Sequence, residues 1–391
     1  MNPKALSFFP IRPAPPRPNT TPQFRVYDDS KPPLASSPSP FHPKAWVARL
    51  QQYPSQLGNT LTSILTYGAC IGYEGPRQSI QSKNLSSASL DPKTIQVQLD
   101  SDLADGRVTR VRPGTHFISS PLGLVPKHDG GFRRIHHLSH PEGNSVNDYI
   151  PAHYAALTYT RLAEVLNAIS HSGRHSVIIK RDVKSAFRTI PIALHQQWLL
   201  GFTWAGIPYS EACLSFGLRT APFLFNLFAE AFHWILQTFL LWVVFHYLDD
   251  FMTILPPSAS TALITATKDD YRVISTELGI PPNDSKDQEG TTVDLLGIEV
   301  NTNTMMARLS DVKKARAIEL VTTVLEAGSV SLHRMQQVTG LLNFCSQVVR
   351  LGRTHMRRLY DFEASFWTAA SAPSAQPFAR ISCSGRTSCL L

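Results

Sequence analysis

From Ala231 to Leu248 the chain carries no Asp, Glu, Lys or Arg, and the run is closed by two adjacent aspartates, Asp249 and Asp250. Its length is that of a membrane span, yet His233, Gln237 and His246 interrupt it and two carboxylates end it, which a bilayer core tolerates poorly. A buried helix running into a buried strand accounts for it better. The helix is expected over Ala221 to Leu240 with Pro222 in its first turn, where Pro is tolerated. A hairpin is expected over Trp242 to Leu255 with Asp249-Asp250 as its turn. An Asp-Asp pair usually marks a solvated turn. Here Phe245-His246-Tyr247-Leu248 precede it and Phe251-Met252 follow, so the hairpin is buried and its tip faces a cleft. Two like charges about 4 Å apart repel by roughly 4 kcal/mol at an effective dielectric near 20, and lost hydration adds to the cost. A divalent cation reverses the sign of both effects.

A carboxylate pair is an incomplete metal site, and Ile178-Ile179-Lys180-Arg181-Asp182-Val183 supplies a third acid at the end of an apolar strand. The surrounding texture, from about Phe117 onward, is one of short apolar runs separated by Gly, Pro and Asn, as in a mixed α and β domain. Ser119 to Pro126 and Phe132 to Leu138 read as strands around the turn His128-Asp129-Gly130-Gly131. Leu157 to Ile169 has helical spacing. Val177 to Val183 reads as a strand, Arg188 to Ile192 as a second short one and Val293 to Val300 as another. Two helices follow, with Ser310 and Ser331 as N-caps and Gly328 and Gly352 just past their ends. The second presents Leu332, Met335, Val338, Leu342, Cys345 and Val349 on one face.

Twelve of the 29 prolines fall in the first 43 residues, so residues 1–43 read as a disordered arm. Short helices are expected near Trp46 to Tyr53 and Leu61 to Tyr67, but residues 44–114 suggest no role. Residues 370–391, rich in Ala, Ser and Pro, read as a disordered tail. Prolines also break up any secretory signal at the start. Cys70, Cys213, Cys345, Cys383 and Cys389 lack metal or disulfide spacing, which fits a reducing intracellular setting, cytoplasmic or nuclear. Basic residues exceed acidic ones by 37 − 29 = 8 and the pI is about 9.3, which suits a polyanionic partner. His136, His137 and His140 cluster, but strand neighbours point to opposite faces, so His136 and His137 do not readily share an ion. Arg350, Arg353, Arg357 and Arg358 form a late basic cluster.

In order along the chain, these segments resemble the polymerase motifs of reverse transcriptases. Asp182-Val183-Lys184-Ser185-Ala186-Phe187 resembles the first catalytic motif, an Asp followed five residues later by Tyr or Phe. Leu214-Ser215-Phe216-Gly217-Leu218-Arg219-Thr220-Ala221-Pro222 resembles the Gly-containing loop and Pro-started helix that shape the nucleotide pocket and hold the template. Tyr247-Leu248-Asp249-Asp250 resembles the aromatic-x-Asp-Asp signature, and Leu296-Gly297-Ile298 the strand that grips the primer end. Lys286 lies where the family places a lysine near the pyrophosphate. Leu124-Val125-Pro126-Lys127 and Phe132-Arg133-Arg134-Ile135 resemble the fingers segment that meets the triphosphate, with Lys127 and Arg133 as its cations. The motifs DVKSAF and FGLRTAPFLFN, with Ser145-Val146-Asn147-Asp148, look most like reverse transcriptases of DIRS-type retrotransposons. Two positions depart from the pattern: Phe216 replaces the Gln of retroviral enzymes, and His137 replaces a usual Asp.

The resemblance implies an α+β right-hand polymerase. Its fingers and palm, an antiparallel sheet with helices, would occupy residues 115–300, and a helical thumb residues 301–369. It implies an RNA-directed DNA polymerase that takes deoxynucleoside triphosphates and a primer on an RNA or DNA template. Two Mg²⁺ ions, replaceable by Mn²⁺, would sit at Asp182, the Val183 carbonyl, Asp249 and Asp250. Phe187, Phe216, Gly217 and Lys286 would line the nucleotide pocket, and Tyr247, Pro222, Leu296 and Gly297 the primer–template. The rival expectation is a decayed retroelement fragment that binds nucleic acid without extending it.

Overall fold

A computed structural model of the chain describes residues 21–126, 130–240, 242–349, 351–370 and 378–380. It has two units. The first comprises the described residues up to Thr160 together with 179–255 and 259–287, the second 161–178, 256–258 and the described residues from Gln288 onward.

The first unit is organised around the helix Ala221–Leu240, whose residues are apolar on nearly every side and so must be covered on nearly every side. It is long and apolar enough to cross a membrane, but 78% of its apolar window is buried, as in a core helix. Phe228 meets the edge of Trp46 at 5.5 Å and Phe232 meets Phe251 at 4.8 Å. The hairpin strands Val243–Tyr247 and Asp250–Leu255 lie beside the strand Val177–Asp182 in one sheet. A five-stranded sheet runs in the order Ile80–Gln81, Ile118–Ser119, Gly201–Trp204, Ile207–Glu211, Val108–Arg110. Leu122–Pro126 and Phe132–His136 pair as an antiparallel hairpin. Its expected turn falls partly on 127–129, outside the described residues, and Lys127 with it.

Residues 21–43 correct the expectation of a disordered arm. Val26 and Phe41 are 2% and 5% exposed, and Phe24 stacks on Tyr154 at 4.7 Å. Few large apolar residues are present, but Val26 and Phe41 enter the core and Phe24 and Tyr27 pack against it, and prolines lower the chain entropy lost on docking. The helix Pro43–Arg49 continues this contact: the Trp46 indole N–H donates to the carbonyl of Leu278, the last residue of the helix Thr261–Leu278, at 3.0 Å. Helices Ser55–Tyr67 and Pro92–Ala104 complete the region that suggested no role.

Three further expectations are corrected. In the hairpin Asp250 pairs with Tyr247, so its two-residue turn is Leu248-Asp249, with Leu248 left-handed at φ 52°, and Asp250 opens the returning strand. Residues 186–189 form a 3₁₀ turn rather than a strand, because Ser185 at φ 52° turns the chain away from the sheet. The run Val293 to Val300 folds back on itself, Leu295 pairing with Ile298.

In the second unit the helix Leu162–Ser172 is followed in sequence, after the first unit's segments, by the antiparallel sheet Thr292–Leu295, Ile298–Asn301, Met306–Leu309. Helices Asp311–Ala327, Leu332–Cys345 and Gly352–Ala370 follow, around Val324, Val330, Met335, Val338 and Phe366. The Ser331 hydroxyl accepts the Arg334 N–H at 3.3 Å as its cap, whereas Ser310 makes no side-chain cap bond. Gly328 is left-handed at its helix end, while Gly352 opens a helix and Val349 lies 49% exposed beyond one. In the expected tail, Phe378–Arg380 pairs with Ser329–Ser331.

Candidate active site

Strand alternation and one tight turn bring the three aspartates together. The Val183 N–H donates to the Asp249 carbonyl at 2.9 Å, which stitches the end of Val177–Asp182 to the hairpin tip. Asp182 is 5% exposed. Its Oδ1 accepts from the Asn283 amide at 2.5 Å, and its Oδ2 lies 3.3 Å from Lys286 Nζ. Lys180, two residues earlier on the same strand face, reaches Asp250 Oδ2 at 3.2 Å. Arg181 on the opposite face pairs with Asp287 at 3.1 Å. Burial, then the nearby charges of Asp182 and Asp250, push the Asp249 carboxyl up to about 6. Burial also raises Asp250, against the pull of Lys180.

All-oxygen carboxylate donors that are half-desolvated and mutually repelling are the ligands a hard divalent ion such as Mg²⁺ takes, so the residues fit such an ion. Asp182 and Asp249, with Asp250 beside them, are the groups that could hold it.

A second group of expected residues forms a small aromatic cluster. The Arg133 guanidinium lies 5.1 Å over the Phe216 ring. Phe216 in turn meets Phe187 at 5.1 Å, and Phe187 meets Phe225 at 6.0 Å. Gly217 is at φ 105°, and a Cβ there would fall closer than 3.0 Å to the carbonyl oxygen of His136. Its own carbonyl accepts from the Asn147 amide at 2.8 Å. Pro222 is the second residue of its helix, with its ring spared a hydrogen-bonding role. Tyr247 stacks on Tyr159 at 4.9 Å, and the neighbouring Thr160 hydroxyl donates to the His246 carbonyl.

Leu296 and Gly297 belong to the second unit, where they form the turn of its hairpin with φ of 53° and 79°. Lys313 donates to the Gly297 carbonyl at 2.6 Å, and a side chain at 297 would collide with that ammonium. Arg353, Arg357 and Arg358 are exposed on Gly352–Ala370, and Arg350 lies outside the described residues.

His136 is buried, bonds the Gly201 carbonyl at 3.0 Å, and is pushed down to about 4 by burial. His137 and His140 face each other at 5.9 Å. The closer His and Glu grouping, unforeseen in the sequence, is Glu230, His233 and His246. His246 turns Nδ1 to His233 Nδ1 at 2.9 Å and Nε2 to Glu230 at 3.5 Å and Asn226 at 3.3 Å. His246 thereby links the strand Val243–Tyr247 to the helix Ala221–Leu240 through its two ring nitrogens.

Asn283, Lys180 and Asp287 also went unforeseen. Lys180 had a signal, since period two puts it on the Asp182 face. Asn283 had none, being more than a hundred residues from its partner.

Three aspartates gathered at a hairpin tip and strand end, with an aromatic, arginine-bearing cluster in the same unit, are the arrangement expected of a palm-and-fingers polymerase fold. Residues 125–300, a little under half of the chain, match the family model described as "Reverse transcriptase (RNA-dependent DNA polymerase)". Among solved structures, a foamy viral protease-reverse transcriptase in complex with double-stranded DNA is similar at a TM-score of 0.55 and 19% identity, over 86% of this chain and 56% of that one. The foamy viral protease-reverse transcriptase with an RNA/DNA hybrid gives 0.50 and 18%, over 83% and 45%. Another such complex with double-stranded DNA gives 0.50 and 16%, over 82% and 71%. These likenesses show the fold. The chain spans about half the length of the first two. Curated proteins give no match in sequence.

Proposed function

We propose that the chain is an intracellular RNA-directed DNA polymerase of a DIRS-type retrotransposon, extending a primer on an RNA or DNA template with deoxynucleoside triphosphates. The observation that carries this is the convergence of Asp182, Asp249 and Asp250, with Asp249 raised by burial and by the other two carboxylates. Asp182 and Asp249, joined by the Val183 carbonyl, would hold two Mg²⁺ ions, and Asp250 plays the supporting part that its Lys180 pair suggests. When bound, such ions lower the pKa of the primer 3′-hydroxyl and neutralise the triphosphate.

The remaining work falls to the chain's own groups, mostly as positioning and charge stabilisation. Arg133 presents a guanidinium that can engage two phosphate oxygens at once. Phe187 lies under the sugar, its ring backed by Phe216 and Phe225. Lys286, beside Asp182, meets the leaving pyrophosphate. Tyr247 supports the primer end. Nucleic-acid complexes of the foamy viral protease-reverse transcriptase support a primer–template as partner.

Primer extension with Mg²⁺ is the test. Asp182→Asn or Asp249→Asn should abolish extension and leave primer–template affinity within about a few-fold, because phosphate contacts elsewhere dominate binding. Extension by either variant at the wild-type rate refutes the assignment. A wild-type protein that binds primer–template without extending it supports the decayed-fragment reading instead.

A further inference from the structure

Four charged side chains from four separate segments of the first unit meet, largely buried, next in sequence to residues of the aromatic cluster. Arg188 Nη1 donates to Glu211 Oε2 at 2.5 Å, and its Nη2 lies 3.3 Å from Asp102 Oδ2. Arg134 Nη2 donates to the same Asp102 oxygen at 2.6 Å and lies 3.5 Å from Glu211 Oε1. The Arg134 and Arg188 side chains are each 8% exposed, Glu211 2% and Asp102 16%. Two cations and two anions cancel, so the set avoids an uncompensated buried charge, but removing one member leaves one. Burial works against the Glu211 charge, and Arg188 and Arg134 outweigh it, holding that carboxyl below its ordinary range.

The sequence neighbours of this network belong to that cluster. The Arg134 side chain is 8% exposed while Arg133, on the other face of the same strand, is exposed over Phe216. Arg188 is buried in the 3₁₀ turn while Phe187, one residue before, contacts Phe216. Two groups offered above as nucleotide contacts thus hang from adjacent residues whose own side chains are tied to the same two carboxylates.

We propose that Asp102, Arg134, Arg188 and Glu211 are positioning residues for the incoming nucleotide, fixing Arg133 against the triphosphate and Phe187 against the sugar. The inference rests on the polymerase reading. It also gives the region before the motifs a role, since Asp102 comes from the helix Pro92–Ala104. Each guanidinium lies within ion-pair distance of both carboxylates, Arg134 through Nη2 alone and Arg188 through Nη1 and Nη2, a reach that its fixed planar fork favours.

Glu211→Gln keeps the shape and removes the charge. At temperatures well below its melting point, it should raise KM for deoxynucleoside triphosphates by about tenfold and weaken discrimination against ribonucleotides, with primer–template affinity within about twofold of wild type. Arg188→Met should behave alike, and Arg188→Lys should recover part of the loss. A merely structural network would lower the melting temperature and leave KM and sugar discrimination unaltered in the folded protein, and that result overturns the proposal. Should Glu211→Gln not fold, Asp102→Asn at the rim of the network carries the same measurement. Should the wild type not extend primers, the function reading fails by itself. The network is then tested by amide hydrogen exchange of the hairpin 122–136, where unchanged protection in the variant overturns it and lost protection supports it.

Discussion

Replacing Gly217 by Ala tests whether the aromatic cluster is built by close backbone approach. Two costs add. The residue sits at φ 105°, where L side chains are strained, by about 1 to 2 kcal/mol for left-handed backbone. The new methyl would also enter the space of the His136 carbonyl oxygen, which is held in a strand and yields only by moving it, an overpacking cost of about 1 to 3 kcal/mol. Gly206 separates the two: its φ is 78° and a Cβ there meets nothing within 4 Å, so Gly206→Ala should show the backbone cost alone. Chemical denaturation should place Gly217→Ala about 2 to 5 kcal/mol below wild type and Gly206→Ala about 1 to 2 below. Because His136 ends the strand that carries Arg133, displacement should also raise the nucleotide KM in Gly217→Ala and leave it unchanged in Gly206→Ala. Equal destabilisation of the two variants, with equal KM, refutes the reasoning.

Three more outcomes follow from the same geometry. Asp249 is raised to about 6 from an ordinary value of 3.8, so the folded state binds the extra proton between those values and stability falls as pH rises through that window. Melting curves from acid to neutral pH without divalent ions should show this fall, Asp249→Asn should flatten it, and a rise instead would show that Asp249 is not desolvated among like charges. Deleting residues 1–43 should destabilise the protein by about 3 to 6 kcal/mol from Val26 and Phe41 alone, at about 1.5 to 3 for each buried side chain; a truncation that melts like wild type would show that the segment is undocked. Phe187→Val should admit ribonucleotides more readily while folding, whereas a purely structural Phe would lose about 1 to 3 kcal/mol with sugar preference intact; single-nucleotide incorporation with both sugars decides.

How much of this was legible depended on how local the cause was. The helix Ala221–Leu240, a mostly apolar run with Pro222 at its head, and the apolar strand ending at Asp182 were readable because such runs need no distant information. Register was not: whether the turn is Asp249-Asp250 or Leu248-Asp249 is a shift of one residue, and Leu248 accepts a left-handed φ that its sequence does not advertise. The helix Pro92–Ala104 was overlooked although Asp91 caps it, accepting the Thr94 N–H at 3.0 Å, with Pro92 in its first turn. Its apolar stripe is narrow, Ile95 and Leu99 being its buried residues, so periodicity is weak and the cap was the stronger signal.

The site divides along the same line. Asp182, Asp249 and Asp250 stand out because a carboxylate at the end of a buried strand contradicts its surroundings, and such a conflict between local pattern and burial is the mark of a functional position. Asp102 and Arg134 create no such conflict in sequence, each having charged or polar neighbours, while Arg188 and Glu211 stand in largely apolar stretches but belong to no recognised motif. Only the fold shows that all four lose their water together, and that Arg133 and Phe187 owe their placement to what their neighbours hold. A motif scan therefore finds the groups that touch substrate and passes over those that aim them. The latter answer to long-range partners, as Arg188 does to Glu211 across 23 residues and Arg134 to Asp102 across 32.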